Sequence, residues 1–125
     1  MPFEIVWEPR GVYKRFWGFV TDAEFIRSVK EVQEDPCFDD IHYNINDYLA
    51  VEDFDISMPT IAYAAALNIG ARFSRPRIRV ALVTTNERAV GLAKFFTAPG
   101  FASYPIKVFA TLESAREWAE TVEPG

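Results

Sequence analysis

The sequence is poor in the residues that build disulfides, metal sites and phosphate-binding loops. Its 125 residues include one cysteine, Cys37, and one histidine, His42. A single cysteine cannot form a disulfide within the chain, which is typical of proteins from reducing compartments. The six glycines are scattered and form no glycine-rich phosphate loop. We therefore expect a protein that folds without a disulfide, a metal or a cofactor.

Long apolar runs and an excess of basic residues are also missing. No apolar stretch approaches the ~18 residues of a membrane-spanning helix, and the N-terminal Met1-Pro2-Phe3-Glu4 does not resemble a signal peptide. Lys and Arg number 13 against 18 Asp and Glu, so the formal net charge is -5. That sign repels the phosphates of nucleic acids. We expect a cytoplasmic protein that does not bind nucleic acid; membrane association is not favoured, and a homodimer is left open.

Aromatic residues, in contrast, are plentiful, with 11 Phe, 5 Tyr and 3 Trp. Large rings supply much of the buried apolar area of a small core. No repeat, low-complexity tract or linker interrupts the chain, so residues 1–125 are expected to form a single domain.

The first part of the chain predicts two strands followed by a helix. Residues 3–8 and 12–20 have the alternation and the aromatic and β-branched content of strands. Thr21 and Glu24 have the spacing of a capping box, which starts a helix.

The remainder alternates between helices and strands. Residues 57–71 predict a helix, 77–85 a buried strand and 105–109 a short last strand, while Asn86 and Thr111 have the position of N-caps. The resulting order, β-β-α-β-α-β-α-β-α, predicts an α/β fold with a mixed, mainly parallel sheet of about five strands and four helices.

The element order and two stretches of sequence resemble the STAS domain family (sulphate transporter and anti-sigma-factor antagonist) and its SpoIIAA-like relatives. The stretches are GFVTDAE at 18–24 and PIKVFAT at 105–111, the latter followed by AREW at 115–118. The resemblance covers nearly the whole chain and is greatest to small stand-alone bacterial STAS-like proteins. It implies a STAS-like domain over residues 1–125 that acts as a regulatory or protein-interaction module.

The resemblance also implies a candidate phosphoacceptor, Ser57. Antagonist-type STAS domains end their third strand on Asp and carry an Asp-Ser-Ser-Gly run at the next helix start, whose last serine is phosphorylated. Asp47 is expected to close that strand here, and Asp55 and Ser57 follow at the family's spacing. The family's glycine is Met58, and Pro59 removes an amide from the first turn. In the alternative interpretation Ser57 is simply an N-cap.

Two further clusters are candidate contacts. The first is the only cluster of basic residues in the sequence and is a candidate contact for an anion or a partner; it comprises Arg72, Arg75, Arg77 and Arg79. The alternative is a solvated loop. The second is aromatic and is a candidate site for an apolar ligand or lipid, although such rings also commonly fold back over the end of a sheet; it comprises Phe95, Phe96, Phe101 and Tyr104.

The strand predicted near residues 41–47 has a polar face formed by His42, Asn44 and Asn46. An edge strand or an uncovered sheet face explains it more simply than a cleft for a polar ligand. Cys37 has acidic neighbours that disfavour a thiolate, and no set of acid, base and nucleophile is visible.

These observations predict a non-enzymatic STAS-like regulatory or protein-interaction module. The alternative is a protein that binds a lipid or a small apolar ligand. In one form of this alternative the protein is peripheral to a membrane. An enzyme ranks third.

Overall fold

The computed structural model describes residues 2–72, 77–96 and 104–121; of Arg72 it describes only the backbone. Ten elements follow one another: β1 (Phe3–Glu8), β2 (Gly11–Thr21), α1 (Asp22–Glu34), a 3-10 helix (Pro36–Asp40), β3 (Tyr43–Asp55), α2 (Met58–Arg72), β4 (Arg79–Val83), α3 (Glu87–Phe95), β5 (Ile106–Phe109) and α4 (Leu112–Ala119). The predicted α/β order is confirmed.

The strands form one five-stranded sheet in the order β1-β2-β3-β4-β5. β1 pairs antiparallel with β2, and the other three pairings are parallel. The sheet is therefore mixed and mainly parallel, as predicted, and β3 is its central strand.

Local capping chemistry starts three of the helices. Thr21 Oγ1 accepts from the Glu24 amide at 3.4 Å, and the Glu24 carboxylate accepts from the Thr21 amide at 3.0 Å, which is the predicted capping box. Asn86 and Thr111 cap α3 and α4 through their side-chain oxygens. Each predicted cap is confirmed.

Helices cover both faces of the sheet. On one face α4 buries Ala115 and Ala119 against a cluster that includes Ile45, Ala81 and Val83. The strand residues that alternate with these point to the other face, where α1, α2 and α3 pack. The candidate site lies on that second face.

Two sequence-based expectations about the middle of the chain are wrong. β3 continues to Asp55, so Asp47 does not close it; Asp47 ends only the part of β3 that pairs with β4. The buried face of α2 is formed by Ile61, Ala64 and Ala65. Helical spacing also predicts Met58 and Ile69 on that face, but they are 41% and 37% exposed.

Candidate functional site

β2 places a lysine in the middle of the core. Its inward-facing positions Val12, Lys14 and Phe16 are all at most 2% exposed. Val12 and Phe16 belong to different hydrophobic clusters. Because side chains two apart on a strand share a face, Lys14 lies where the two clusters meet.

A cavity of about 120 Å³ lies at this meeting point, and members of both clusters line it. It lies between the sheet and helices α1, α2 and α3 and is partly open, and its walls are mainly apolar; Phe25, Ile61 and Leu92 each come from a different helix. The core on this face is therefore incomplete around a buried amine.

The sheet contributes three polar side chains to the cavity: Lys14, Asn44 and Asn46. Asn46 is the direct neighbour of Lys14 across the β2–β3 pairing. The Asn46 Nδ2 group donates to Asn44 Oδ1 and to the Ala81 carbonyl, both at 3.4 Å. These distances exceed the usual N–H···O range, so both bonds are weak. Among the described residues, the Nδ2 group of Asn46 thus has no strong hydrogen-bond partner.

Lys14 has few polar contacts of its own. Its Nζ atom donates to Ser28 Oγ at 3.4 Å and lies 5.6 Å from the centre of the Phe16 ring. The Ser28 hydroxyl in turn donates to the Phe25 carbonyl at 2.7 Å. Within the described part of the chain no carboxylate pairs with this amine, and burial lowers the pKa of Lys14 to about 7.

Only part of the polar face predicted on the third strand lies at this site. Asn44 and Asn46 line the cavity, whereas His42 precedes β3 and is exposed. The favoured explanation, an edge strand or an uncovered face, is wrong because β3 is central and helices cover this face. Sequence reasoning did not single out Lys14, although a lysine alternating with Val12 and Phe16 in a strand was a usable signal.

The aromatic candidates divide between the cavity and the surface. Phe96 and the buried Tyr104 line the cavity. Phe95 is 41% exposed and is not part of the lining. Phe101 lies outside the described residues. The structure therefore brings two of the four together.

The arginine candidates do not form a cluster in the described part of the chain. The Arg79 guanidinium donates to the carbonyls of Trp118 at 2.8 Å and Thr121 at 2.7 Å, at the C-terminal end of α4. Arg77 is exposed. Arg75 and the side chain of Arg72 lie outside the described residues. Arg79 thus has a structural role, since cations are favoured at a helix C-terminus.

Ser57 directly precedes α2 and is half-buried. Its Oγ accepts from the Thr60 amide at 3.4 Å, as an N-cap does, and its own amide donates to Asp22 Oδ1 at 2.7 Å. That hydrogen bond is the main cause that lowers the pKa of Asp22, so a carboxylate already occupies this helix start at neutral pH. The exposed Asp55 is two residues away.

Asp47 lies far from Ser57. It is buried in β3, where it accepts from the Tyr13 hydroxyl and from the Leu49 amide. Asp55 is eight positions further along β3, at a distance of about 25 Å. The structure does not bring the three residues of the phosphoacceptor hypothesis together.

The described residues offer little support for a reactive thiol, a metal site or a membrane-spanning helix. Cys37 is exposed, and its pKa is raised, chiefly because it hydrogen-bonds to Asp35. No group of three His, Cys, Asp or Glu side chains could hold a metal ion in residues 2–72, 77–96 and 104–121. Among those same residues, no helix has the length and apolar character needed to cross a membrane.

Neither a family model nor a curated protein matches this sequence. Solved structures do match its fold. SpoIIAA, an anti-sigma factor antagonist, in its unphosphorylated form superposes with a TM-score of 0.65 at 11% identity, covering 96% of this chain and 99% of that one. The Bacillus cell fate determinant SpoIIAA in its phosphorylated form gives 0.57 at 14% identity, covering 93% and 97%.

A third match is an uncharacterised DUF3478 protein with a SpoIIAA-like fold from Shewanella loihica PV-4. Its TM-score is 0.50 at 16% identity, and the coverage is 94% of this chain and 91% of that one. At these identities the likeness concerns the fold. The chain accordingly has the SpoIIAA-like fold of STAS domains.

Proposed function

We propose that this chain is a non-enzymatic STAS-like binding module whose ligand is a small molecule held in the core cavity. The observation that carries the proposal is the cavity itself, which is mainly apolar and contains a buried lysine. Concave apolar sites with a few convergent polar groups are the usual form of small-molecule sites.

The packing around the cavity supports a functional role. Protein interiors leave few voids larger than a water molecule, whereas this space measures about 120 Å³ and its walls are mainly apolar. A ligand that occupies the space would gain contacts with those walls.

The volume limits the size of the ligand. An engineered cavity of about 150 Å³ binds benzene, while sites for drug-sized molecules occupy about 300–1,000 Å³. The present cavity, at about 120 Å³, suits a molecule of roughly benzene size. This favours a small apolar ligand over a complete lipid.

The titratable groups of the lining support a role without catalysis. They are Lys14, Tyr48 and Tyr104, and no carboxylate or imidazole is among the described lining residues. Burial raises the pKa of Tyr48. Among the described lining residues Lys14 therefore has no second group that titrates near neutral pH and could form an acid–base pair with it.

The test is to fill the cavity with a side chain. Ala64 is buried and lines the cavity, so we expect Ala64→Leu to fold, to lose any small molecule that copurifies with the wild type and to abolish ligand-induced gains in melting temperature. Ala66→Leu, on the exposed side of the same helix, is the matched control. Native mass spectrometry and a thermal-shift screen of small aromatic and aliphatic compounds provide the readouts. The proposal fails if no compound binds the wild type, or if both variants behave alike.

A second candidate is a protein-interaction module that uses the face of the sheet beside α4. This helix packs on β3, β4 and β5, and three large apolar side chains of the first three strands are exposed: Val6 at 45%, Phe19 at 53% and Leu49 at 48%. Such side chains are commonly covered by a partner or a second copy. Phe19→Ser combined with Leu49→Ser should then abolish partner capture or dimerisation and preserve the circular dichroism spectrum. Unchanged association would exclude this surface.

A further inference from the structure

We infer that the ligand of the cavity is a small apolar carboxylate whose anionic group pairs with the ammonium of Lys14. The inference rests on the proposed function and specifies its ligand. It begins from the observation that the most deeply buried basic side chain of the described residues, Lys14 at 2% exposure, faces an internal space.

The first argument concerns the missing counterion. A buried ammonium is costly unless it is paired. The chain meets this requirement elsewhere, because the half-buried Arg116 forms two hydrogen bonds with the Glu8 carboxylate, at 2.8 and 3.0 Å. Within the described residues, the hydrogen-bond partner of Lys14 is the hydroxyl of Ser28 at 3.4 Å. A ligand carboxylate would supply the counterion that the described residues do not.

The second argument concerns the number of charges. A carboxylate carries one negative charge, which one ammonium neutralises. A phosphate dianion would keep an excess negative charge inside apolar walls, where an unpaired charge is strongly disfavoured. Among the lining residues that the structure describes, Lys14 is the one cationic side chain. A monoanion therefore fits the site better than a phosphorylated compound.

The third argument concerns the second oxygen of the carboxylate. Asn46 is the sheet neighbour of Lys14, and its Nδ2 group makes two hydrogen bonds with the described residues, both at 3.4 Å. A shorter bond to a ligand oxygen would be better than either. Lys14 and Asn46 thus offer two donors side by side. The helices provide mainly apolar surface for the rest of the molecule; their polar lining residues Gln33 and Asn68 are hydrogen-bonded to each other at 2.9 Å.

The experiment compares probes that have similar shapes and differ in charge. Benzoate, benzamide and benzylamine are titrated into the full chain by calorimetry and by NMR chemical shifts, with hexanoate and hexanamide as an aliphatic pair. We expect each carboxylate to bind at least about ten-fold more tightly than its amide, and benzylamine not to bind. In Lys14→Met the carboxylate should lose that advantage, whereas the affinity for the amide stays within about two-fold.

Proton uptake provides a second readout. A carboxylate favours the protonated lysine, so binding at about pH 8 should take up a proton, seen as a binding enthalpy that depends on the ionisation enthalpy of the buffer. Ser28 is the hydrogen-bond partner of Lys14. The polar side chains that share the cavity with Lys14 among the described residues include no carboxylate and no imidazole; they are Gln33, Asn44, Asn46, Tyr48, Asn68 and Tyr104. Uptake should vanish in Lys14→Met.

The outcomes separate this inference from the proposed function. Amides that bind as tightly as carboxylates, or a carboxylate preference that persists in Lys14→Met, would overturn the pairing and leave the cavity as a ligand site. If no probe binds and Ala64→Leu changes nothing, both fail. Should Lys14→Met not fold, Lys14→Gln, which keeps a polar group without the charge, gives the same comparison.

Discussion

Lys14 occupies a position that an apolar residue would ordinarily hold, between Val12 and Phe16 on the inner face of β2. Its environment offers a weak hydrogen bond and an aromatic ring in place of a carboxylate. Removal from water therefore dominates its electrostatics, and this disfavours the charged form.

We expect the free energy of unfolding to rise with pH between about 7 and 9 through a contribution that Lys14→Met lacks. The pKa of Lys14 is about 7 in the folded protein and 10.5 in an ordinary lysine. Between these values the unfolded chain binds more protons than the folded one, so raising the pH favours folding, by at most about 1.4 kcal/mol per pH unit. Below about pH 7 the destabilisation is complete.

Urea denaturation of the ligand-free protein between about pH 6 and pH 9 measures this effect, and the range stops below the titration of tyrosines. Lys107→Met, at an exposed lysine on β5, is the control and should follow the wild type. Parallel pH profiles for the wild type and Lys14→Met would contradict the expected contribution.

At Ser57 the structure favours the capping interpretation over phosphorylation. We expect Ser57→Ala to lower the free energy of unfolding by about 1 kcal/mol, the usual value of an N-cap. Ser57→Asp should also destabilise, because the Asp22 carboxylate already accepts the Ser57 amide at 2.7 Å. In an Asp22→Asn background that charge repulsion should disappear. A stabilising Ser57→Asp in the wild-type background, or a phosphate on Ser57 in protein purified from its host, would restore the antagonist hypothesis.

At the scale of elements, α4 is joined to the opposite edge of the sheet by a polar contact. Arg116 binds the Glu8 carboxylate through two nitrogens, and the Tyr43 hydroxyl donates to the same carboxylate. The hydrogen bond from Arg116, followed by that from Tyr43, lowers the pKa of Glu8 against the opposing effect of burial. The small buried residues Ala115 and Ala119 let α4 lie close to the sheet. Trp118, which its helical spacing predicts to be a core residue, is only half-buried beside Phe109.

We expect Arg116→Met to lower the free energy of unfolding by about 1–2 kcal/mol, because it leaves a partly buried carboxylate without its charged partner. Arg27→Met breaks the exposed Arg27–Glu31 pair of α1 and should cost less than about 0.5 kcal/mol. Since the pKa of Glu8 is lowered in the folded state, this stabilisation is present above pH 4.5 and is lost as the pH falls through the folded pKa. Equal effects of the two variants would contradict a specific role for this contact.

For the whole molecule, we expect no binding to anionic vesicles. The net charge is -5, and Arg79 is engaged at the end of α4. Each basic residue near an anionic surface contributes only about 1 kcal/mol. Cosedimentation at low and high salt measures this, with Phe95→Ser as a variant of an exposed ring. Sedimentation at low salt that disappears at high salt would instead support the membrane version of the ligand hypothesis.

The order of elements and the type of sheet could be predicted because they rest on local patterns. Capping residues, alternation in strands and helical spacing act over a few residues, so Thr21, Asn86 and Thr111 were identified with their helices. The alternation of strands and helices then favours parallel pairing through right-handed crossovers. The resemblance of the sequence to STAS domains agreed with this order, and the SpoIIAA-like fold is observed.

The cavity, in contrast, was decided only by the tertiary structure. Whether Lys14 is buried depends on three helices that come from other parts of the chain, and whether Arg79 is available depends on carbonyls 39 and 42 residues away. The same holds for Arg116 and Glu8, which are 108 residues apart. A sequence pattern predicts which side chains lie on the same face of a strand or helix. Only the packing of distant elements determines what covers that face and whether a charged side chain on it has a partner.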